Sequence, residues 1–279
     1  MINLNSIYQP TTAQPYISSK VHTVYAPCDQ LKPFIKSFWG TVEPTTGMSS
    51  IENEPSLIVP DGCVDIIFTV NHSSGQVSCG YCGIFDRPTF ASTIKFEKNI
   101  SRFAIQFYFW SVHLFTSCPM RDSYGVFGDL DLYFCGWKEF FKDMLIFNQN
   151  IGDRIRLTQK FLLEKFSLRK YNHNLLNTIY LILYEKGIVP VKEMSSYITV
   201  NQRQLERLFI EYIGTSPKKI SNLVRYQNVL NDLIYSNEFD VQDIVEKYKF
   251  TDQSHMLNEF KKYHSMTPKQ ARKFASVLR

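Results

Sequence analysis

The chain has 279 residues, of which 44% are hydrophobic, 15% are aromatic and 20% are charged. This composition is typical of a globular protein that can fill a large core, and the length predicts two domains. No apolar run reaches the roughly 18 residues of a membrane-spanning helix, and the first residues lack the pattern of a secretory signal. We therefore expect a cytoplasmic protein with no membrane partner.

The net charge of +5 is unevenly distributed along the chain. Residues 188–279 contain 14 Lys or Arg against 10 Asp or Glu, a net charge of +4, whereas residues 1–187 contain 17 against 16, a net charge of +1. A basic C-terminal third indicates an anionic partner such as nucleic acid for that part of the chain. A solvated basic surface remains the alternative.

The first half of the chain has the pattern of strands and turns. The segment PSLIVPDGCVDIIFTVN (55–71) predicts a strand, a tight Pro60-Asp61-Gly62 turn and a second strand with alternating apolar residues. The segment NISRFAIQFYFW (99–110) repeats the alternation, with apolar side chains at every second position from Phe103 to Phe109. We expect a β-rich domain here.

The six cysteines are scattered, and only Cys79 and Cys82 form a CxxC pair. A structural zinc site needs four ligands, and no second CxxC or pair of histidines completes one. We expect reduced, structural thiols, no metal and no cofactor, with a metal or redox role for this pair as the alternative.

Helical periodicity begins near Trp137. Three segments carry it: WKEFFKDMLIF (137–147), DRIRLTQKFLLEKF (153–166) and NHNLLNTIYLILYEKG (172–187), the last of which ends at Gly187. The apolar stripe of the second segment predicts either a core-facing helix or a dimer surface. We place the domain boundary between an N-terminal domain at 1–170 and a C-terminal domain at 171–279.

The C-terminal third contains an internal repeat. Residues 191–217 align with 241–268, so that Val191 matches Val241 at a separation of 50 and Phe209 matches Phe260 at 51. One extra residue in the turn of the second copy explains the change in separation. Each copy predicts a short helix, a turn and a second helix, which is the helix-turn-helix arrangement.

Capping residues support the predicted helices. Asn201 and Gln204 have the spacing of a capping box, and Asp240 and Asp252 are N-caps in the second copy. Pro217, after a capping serine, begins a helix of about 18 residues, which is about 27 Å long. A rod of this length can hold two units near successive major-groove segments, which lie roughly 34 Å apart.

The outward faces of the second helix in each copy carry polar side chains suited to base edges, and in the second copy we place Leu257 on the same outward face. Arg pairs with guanine, and Gln or Asn pairs with adenine. Lys side chains nearby are candidates for phosphate contacts, and so is His255, which could instead satisfy a neighbouring backbone group. The predicted base contacts are Gln202, Arg203, Glu206, Arg207, Gln253, Ser254 and Asn258. The predicted phosphate contacts are Lys218, Lys219, His255, Lys261 and Lys262.

These residues resemble the C-terminal domain of the AraC/XylS family of bacterial transcription regulators. The matching motifs are NQRQLERLF, GTSPKKI, VRYQNVL, FTDQSHMLNEFKKY and MTPKQAR, and the resemblance covers about 175–275. It implies recognition helices at 202–210 and 253–262 and a fused sensing or dimerising N-terminal domain. Double-stranded DNA is the implied partner, and the family allows RNA polymerase, a small-molecule effector and a second copy of the chain as further partners.

The chain departs from the family pattern at several positions. Thr199 and Lys249 replace the usual turn glycine, and Asn258 replaces a common Arg in the second recognition helix. A non-glycine residue in a turn that needs positive φ costs about 1 kcal/mol. Asn258 also lacks the long cationic donor of the Arg that it replaces, and we therefore expect the second unit to discriminate less between DNA sequences than the first.

The first half resembles, more loosely, the N-terminal domain of one branch of this family. The matching segments are LKPFIKSFWG, VPDGCVDIIF and FAIQFYF. The branch implies a signature turn at Pro60, Asp61, Gly62 and Cys63. This turn is either a structural hairpin turn or a place where Asp61 or Asp65 faces a ligand whose identity is unknown.

The predicted fold is α+β: a β-rich N-terminal domain with flanking helices, followed by an all-α domain of two helix-turn-helix units joined by a long helix. The predicted function is a sequence-specific DNA-binding transcription regulator and not an enzyme. The sequence does not show whether the regulator activates or represses transcription. One alternative is a DNA-associated enzyme with thiol- or metal-based repair or transfer chemistry. Its weakness is that Asp61 and Asp65 flank Cys63, and anionic neighbours raise a thiol pKa. An adaptor that contacts only protein is a third possibility.

Overall fold

A computed structural model describes residues 3–13, 23–41, 44, 56–91, 99–167, 171–236 and 239–277. The strands are β1 (Thr23–Tyr25), β2 (Ile35–Gly40), β3 (Ser56–Ile58), β4 (Cys63–Asn71), β5 (Gln76–Cys82), β6 (Thr89–Ala91), β7 (Ile100–Tyr108) and β8 (Phe127–Asp129). The helices are α1 (Trp137–Phe147), α2 (Ile151–Lys165), α3 (His173–Tyr184), α4 (Val191–Tyr197), α5 (Gln202–Ile213), α6 (Pro217–Tyr235), α7 (Val241–Lys247), α8 (Gln253–His264) and α9 (Pro268–Val277). Within these ranges, none of the helices has the length and apolar character needed to cross a bilayer. The predicted α+β class is confirmed.

The N-terminal strands form an antiparallel sheet in the order β1-β2-β7-β4-β5-β8. The predicted strand is confirmed as β7, but its burial does not alternate, because Ala104 and Gln106 are buried too. On one face Phe103, Ile105 and Phe107 are all fully buried. Helix α1 covers this face, and its Phe141 ring stacks on Phe68 of β4 with the ring centroids 4.4 Å apart. Aromatic side chains thus fill the space between sheet and helix.

The predicted hairpin at Pro60–Cys63 is wrong. Strand β3 pairs with β6 in a separate two-stranded sheet, whereas β4 pairs with β5 and β7. The turn therefore carries the chain from one sheet to the other, with Gly62 at φ +74°. Alternation and turn residues predict that two strands exist, but they do not identify the partner of each strand.

The apolar stripe of α2 faces the core. Ile155, Phe161 and Leu162 are buried, and the Phe161 ring contacts Trp137 edge to face with centroids 4.9 Å apart. This supports the core interpretation of the stripe over the dimer surface. The predicted domain boundary at 170/171 adjoins residues 168–170, which lie outside the described residues, and it stays a prediction.

The first helix-turn-helix unit consists of α4 and α5, joined by a turn that does not use glycine. The Val200 N–H donates to the Ser195 carbonyl at 3.0 Å, and the Thr199 N–H donates to the Ser196 carbonyl at 3.2 Å. This pair of bonds is a Schellman motif, which satisfies the free carbonyls at a helix end. It requires a positive φ, and Thr199 has φ +57°.

The second unit, α7 and α8, repeats the motif fifty residues later. The Phe250 N–H donates to the Val245 carbonyl at 3.0 Å, and the Lys249 N–H donates to the Glu246 carbonyl at 3.3 Å. Lys249 has φ +50°. The equal backbone geometry confirms the repeat read from the sequence.

Helix α6 joins the two units and has 19 residues, which corresponds to about 28 Å. The Arg225 guanidinium of α6 binds Glu259 of α8 in a bidentate manner at 3.1 and 2.6 Å and stacks on the Phe250 ring. The Tyr226 hydroxyl pairs with His264 Nδ1 at 2.7 Å. These buried contacts attach α8 to α6, so the second unit is positioned by side chains as well as by its connecting turn.

Candidate nucleic-acid interface

The first candidate recognition helix is α5, which extends three residues beyond the predicted end at 210. The Asn201 carboxamide oxygen accepts from the Gln204 N–H at 2.9 Å, and the Gln204 side chain accepts from the Asn201 N–H at 3.0 Å. The predicted capping box is confirmed. Leu205 and Phe209 are buried, so the helix has one face against the core and the other toward solvent.

The predicted base contacts of α5 lie on its solvent face. Gln202, Arg203, Glu206 and Arg207 are all exposed. Arg207 also borders an open groove of about 260 Å³ between α5 and the N-terminal domain, where Arg121 forms an ion pair with a glutamate of α5 at 2.8 Å. The first recognition surface is therefore accessible, with the N-terminal domain at its edge.

The second candidate recognition helix, α8, ends at His264 and not at the predicted 262. Asp252 caps it by accepting from the His255 N–H at 2.8 Å, as the sequence predicted. The predicted base contacts Gln253, Ser254 and Asn258 are exposed. Leu257, which we placed on the outer face, packs against the core and is only partly exposed.

The His255 imidazole is held by its own chain. Its Nδ1 lies 3.4 Å from the Thr251 backbone nitrogen, and its Nε2 lies 3.6 Å from a Glu259 carboxylate oxygen. This geometry matches the alternative in which the ring satisfies a neighbouring backbone group. A phosphate contact by His255 stays a prediction.

The predicted phosphate-binding lysines fall into two sets. Lys218 and Lys261 are exposed. Lys219 and Lys262 face Asp86 of the N-terminal domain, at 4.0 Å and 3.2 Å between Nζ and the carboxylate oxygen. The N-terminal domain therefore reaches two of the residues that the sequence assigned to DNA.

Gln227 of α6 connects the helix-turn-helix domain to the signature turn. Its side chain donates to the Pro60 carbonyl at 2.5 Å and accepts from the Thr11 N–H at 2.8 Å. Leu223, one turn earlier, packs against Gly62. The turn thus contacts the helix-turn-helix domain, which the sequence did not predict. Pro60 and Gln227 are 167 positions apart, and no local sequence pattern indicates a contact over that separation.

A second junction contact lies at the end of α5. Gly214 ends the helix at φ +86°, where a side chain is disfavoured. A Cβ at this position would collide with Ser123 Oγ and the Met120 carbonyl of the N-terminal domain. The Met120 N–H donates to the Glu211 carbonyl at 3.0 Å, so the two domains meet backbone to backbone.

A cluster of polar side chains lies beside the signature turn. Asp61 accepts from the Cys63 N–H at 2.9 Å and lies 3.5 Å from Lys36 Nζ. Gln106 donates to Asp61 at 3.1 Å and to Asp65 at 3.3 Å. Burial and the Asp61 carboxylate raise the pKa of Asp65 to about 7. Both carboxylates therefore have structural partners, and a ligand-facing role for either stays a prediction.

Three cysteine thiols, those of Cys63, Cys79 and Cys82, have raised pKa values and are therefore poor nucleophiles. Burial, followed by the Asp61 carboxylate, raises the pKa of the Cys63 thiol well above its ordinary value. Burial also raises the pKa of Cys79, to about 11, and that of Cys82. Cys79 and Cys82 are three positions apart on β5, so their side chains point to opposite faces of the sheet. Among the described residues no group of His, Cys, Asp and Glu could hold a metal ion.

Comparison with known proteins gives two family matches. A model described as a helix-turn-helix domain matches residues 194–273, and a model described as a domain of unknown function (DUF6597) matches residues 23–125. No curated protein matches.

Two solved structures are similar to parts of the fold. A transcriptional regulator with an AraC-type DNA-binding domain from Chromobacterium violaceum is 26% identical, covers 37% of this chain and 92% of its own, and has a TM-score of 0.33. ToxT from Vibrio cholerae is 10% identical, covers 85% of this chain and 98% of its own, and has a TM-score of 0.42.

The matched ranges coincide with the two parts of the molecule described above. Residues 194–273 contain nearly all of the duplicated units and the helix that joins them, and residues 23–125 contain most of the sheet. The resemblance read from the sequence is confirmed: the chain has an AraC-type helix-turn-helix domain at residues 194–273, preceded by a domain of unknown function at residues 23–125, and these matches support a DNA-binding transcription regulator.

Proposed function

We propose that α5 and α8 read two successive major-groove segments on one side of a DNA duplex, and that the N-terminal domain modulates this binding. The observation that carries the proposal is the matched pair of capped helices, each with a buried apolar face and an exposed polar face. Exposed Arg, Gln and Asn side chains on such a face can hydrogen-bond to base edges.

Helix α6 supports simultaneous entry of both units. Its length of about 28 Å is close to the separation of roughly 34 Å between successive major-groove segments. The bidentate pair between Arg225 and Glu259 holds α8 against α6. A DNA complex formed by both helices would therefore need little rearrangement between the second unit and α6.

The junction supports modulation through the N-terminal domain. Gln227 connects α6 directly to Pro60 of the signature turn, and the end of α5 is packed on the N-terminal domain at Gly214. A change in the N-terminal domain can therefore alter the position of both recognition helices. A small-molecule effector, RNA polymerase and a second copy of the chain remain predicted partners.

Replacement of the two arginines on α5 tests the recognition surface. Duplexes selected from a random-sequence pool by the full-length protein would supply the specific site. Arg203→Ala and Arg207→Ala should each weaken binding to that site by about 1–3 kcal/mol, because each removes a donor suited to guanine. Arg156→Ala, at an exposed position on α2, is the matched control for loss of one positive charge.

Salt dependence separates phosphate-driven binding from other association. The logarithm of the binding constant should fall linearly with the logarithm of the salt concentration, with a slope of several units. Parent-like binding by both α5 variants would show that the recognition surface is assigned wrongly. If neither the parent nor any variant binds a duplex, DNA binding itself is refuted.

A further inference from the structure

One carboxylate of the N-terminal domain faces two cations of the helix-turn-helix domain. Asp86 lies 3.2 Å from Lys262 Nζ on α8 and 4.0 Å from Lys219 Nζ on α6. The Tyr124 hydroxyl donates a hydrogen bond to Asp86, and Lys219 Nζ lies 4.0 Å from the centre of the Tyr124 ring. Asp86 and Tyr124 together therefore bind both lysines.

The backbone of the N-terminal domain holds Asp86 in place. The Gly83 N–H donates to the Val126 carbonyl at 2.8 Å, and the Gly125 N–H donates to the Ile84 carbonyl at 2.8 Å. Gly83 lies so close to the 123–126 segment that a Cβ there would collide with the Ser123 carbonyl. The loop that carries Asp86 is thus paired with the same region that contacts the end of α5.

A carboxylate and a DNA phosphate bind a lysine side chain through the same kind of interaction. Both are anionic oxygen acceptors that form charge-assisted hydrogen bonds with an ammonium group. A phosphate that approached Lys262 while Asp86 stayed at 3.2 Å would meet like-charge repulsion. Phosphate binding at these lysines and their contact with Asp86 therefore disfavour one another.

We propose that Asp86 competes with DNA phosphate for Lys219 and Lys262, so that the docked N-terminal domain lowers the affinity of the chain for DNA. This inference rests on the proposed function, since it takes the two lysines to be phosphate contacts. It adds a specific autoinhibitory contact to the general modulation proposed above. Separation of the loop from the lysines releases two cations for the duplex.

The test is Asp86→Asn in the full-length chain, with a mixed-sequence duplex of about 20–30 base pairs as the probe, which spans two successive major-groove segments. At low salt the variant should bind about three- to tenfold more tightly, because an ion pair with a partly buried carboxylate no longer has to be broken. The slope of log K against log salt should become steeper by about 1–2 units, since each released lysine adds a phosphate contact. Tyr124→Phe, which keeps the ring under Lys219, should give a smaller gain of the same sign.

Asp129→Asn is the matched control. Asp129 also forms an ion pair with a lysine, Lys138, at 2.8 Å, and it is more exposed than Asp86, so its replacement gives the same change in net charge. This control should leave DNA binding within about twofold of the parent, because the pair is exposed and carries little free energy. Adding Lys262→Gln to Asp86→Asn should remove most of the gain.

Three results would overturn the inference. Equal binding by the Asp86 and Asp129 variants would show that only net charge matters. A gain that survives Lys262→Gln would exclude Lys262 as its source. Duplex binding by the parent without any gain in Asp86→Asn would refute the competition and leave the proposed function standing, whereas failure of the parent and all variants to bind duplex would refute both.

Discussion

Replacing Gln227 with methionine measures how strongly the two domains are coupled. Gln227 is 2% exposed, and its side chain is bonded to the Pro60 carbonyl and the Thr11 N–H. Methionine has nearly the same volume but can satisfy neither group, so two buried backbone groups lose their partners. Each such loss costs about 1–3 kcal/mol, and we expect the free energy of unfolding to fall by about 2–4 kcal/mol.

Urea unfolding of the full-length chain provides the measurement. The three tryptophans all lie in residues 1–170, so their fluorescence follows the N-terminal part, while circular dichroism follows the helices of both parts. Asn228→Ala is the control, because Asn228 donates only to the Val224 carbonyl within α6. A loss below about 1 kcal/mol in the Gln227 variant, or one no larger than that of the Asn228 variant, would refute the reasoning.

Two further predictions concern a strained turn and a buried carboxyl. Lys249→Gly should raise the melting temperature, because lysine at φ +50° costs about 1 kcal/mol. Lys247→Gly should lower it, because Lys247 is the last residue of α7 and pairs with Asp232 at 2.7 Å. A decrease at both positions would contradict this. Burial, with the Asp61 charge, raises the pKa of Asp65 from 3.8 to about 7, so the folded protein retains this proton to higher pH. Its contribution to stability is therefore present below about pH 4 and is lost as the pH rises to about 7. Asp65→Asn should flatten that decline in urea unfolding at a series of pH values, and equal slopes would show that Asp65 does not cause it.

Elements that depend on near neighbours could be predicted from the sequence. The capping box of Asn201 and the N-cap of Asp252 involve residues three positions apart, so their spacing identifies them. The positive φ at Lys249 was expected from the family resemblance, in which this turn position is usually glycine. Exposure of the predicted base contacts followed from the apolar periodicity of each helix.

Strand pairing and the junction could not be predicted in this way. The Pro60–Cys63 turn has the local pattern of a hairpin, yet its flanking strands lie in different sheets. Leu257 was placed on the outward face of α8 but packs against the core. The apolar pattern of α8 alone does not show how much of the helix surface the neighbouring elements cover. In both cases the outcome depends on segments that are distant in sequence.

The sequence by itself determined that the chain has a β-rich part and a duplicated helix-turn-helix part, and which polar side chains α5 and α8 expose. These features follow from periodicity, capping and turn chemistry, which act within a few residues. Only the tertiary structure decided that Gln227 joins the signature turn and that Asp86 binds Lys219 and Lys262. Such contacts depend on how separate helices and strands pack against one another. Packing between segments that are distant in sequence produces no periodic pattern of residues from which it could be predicted.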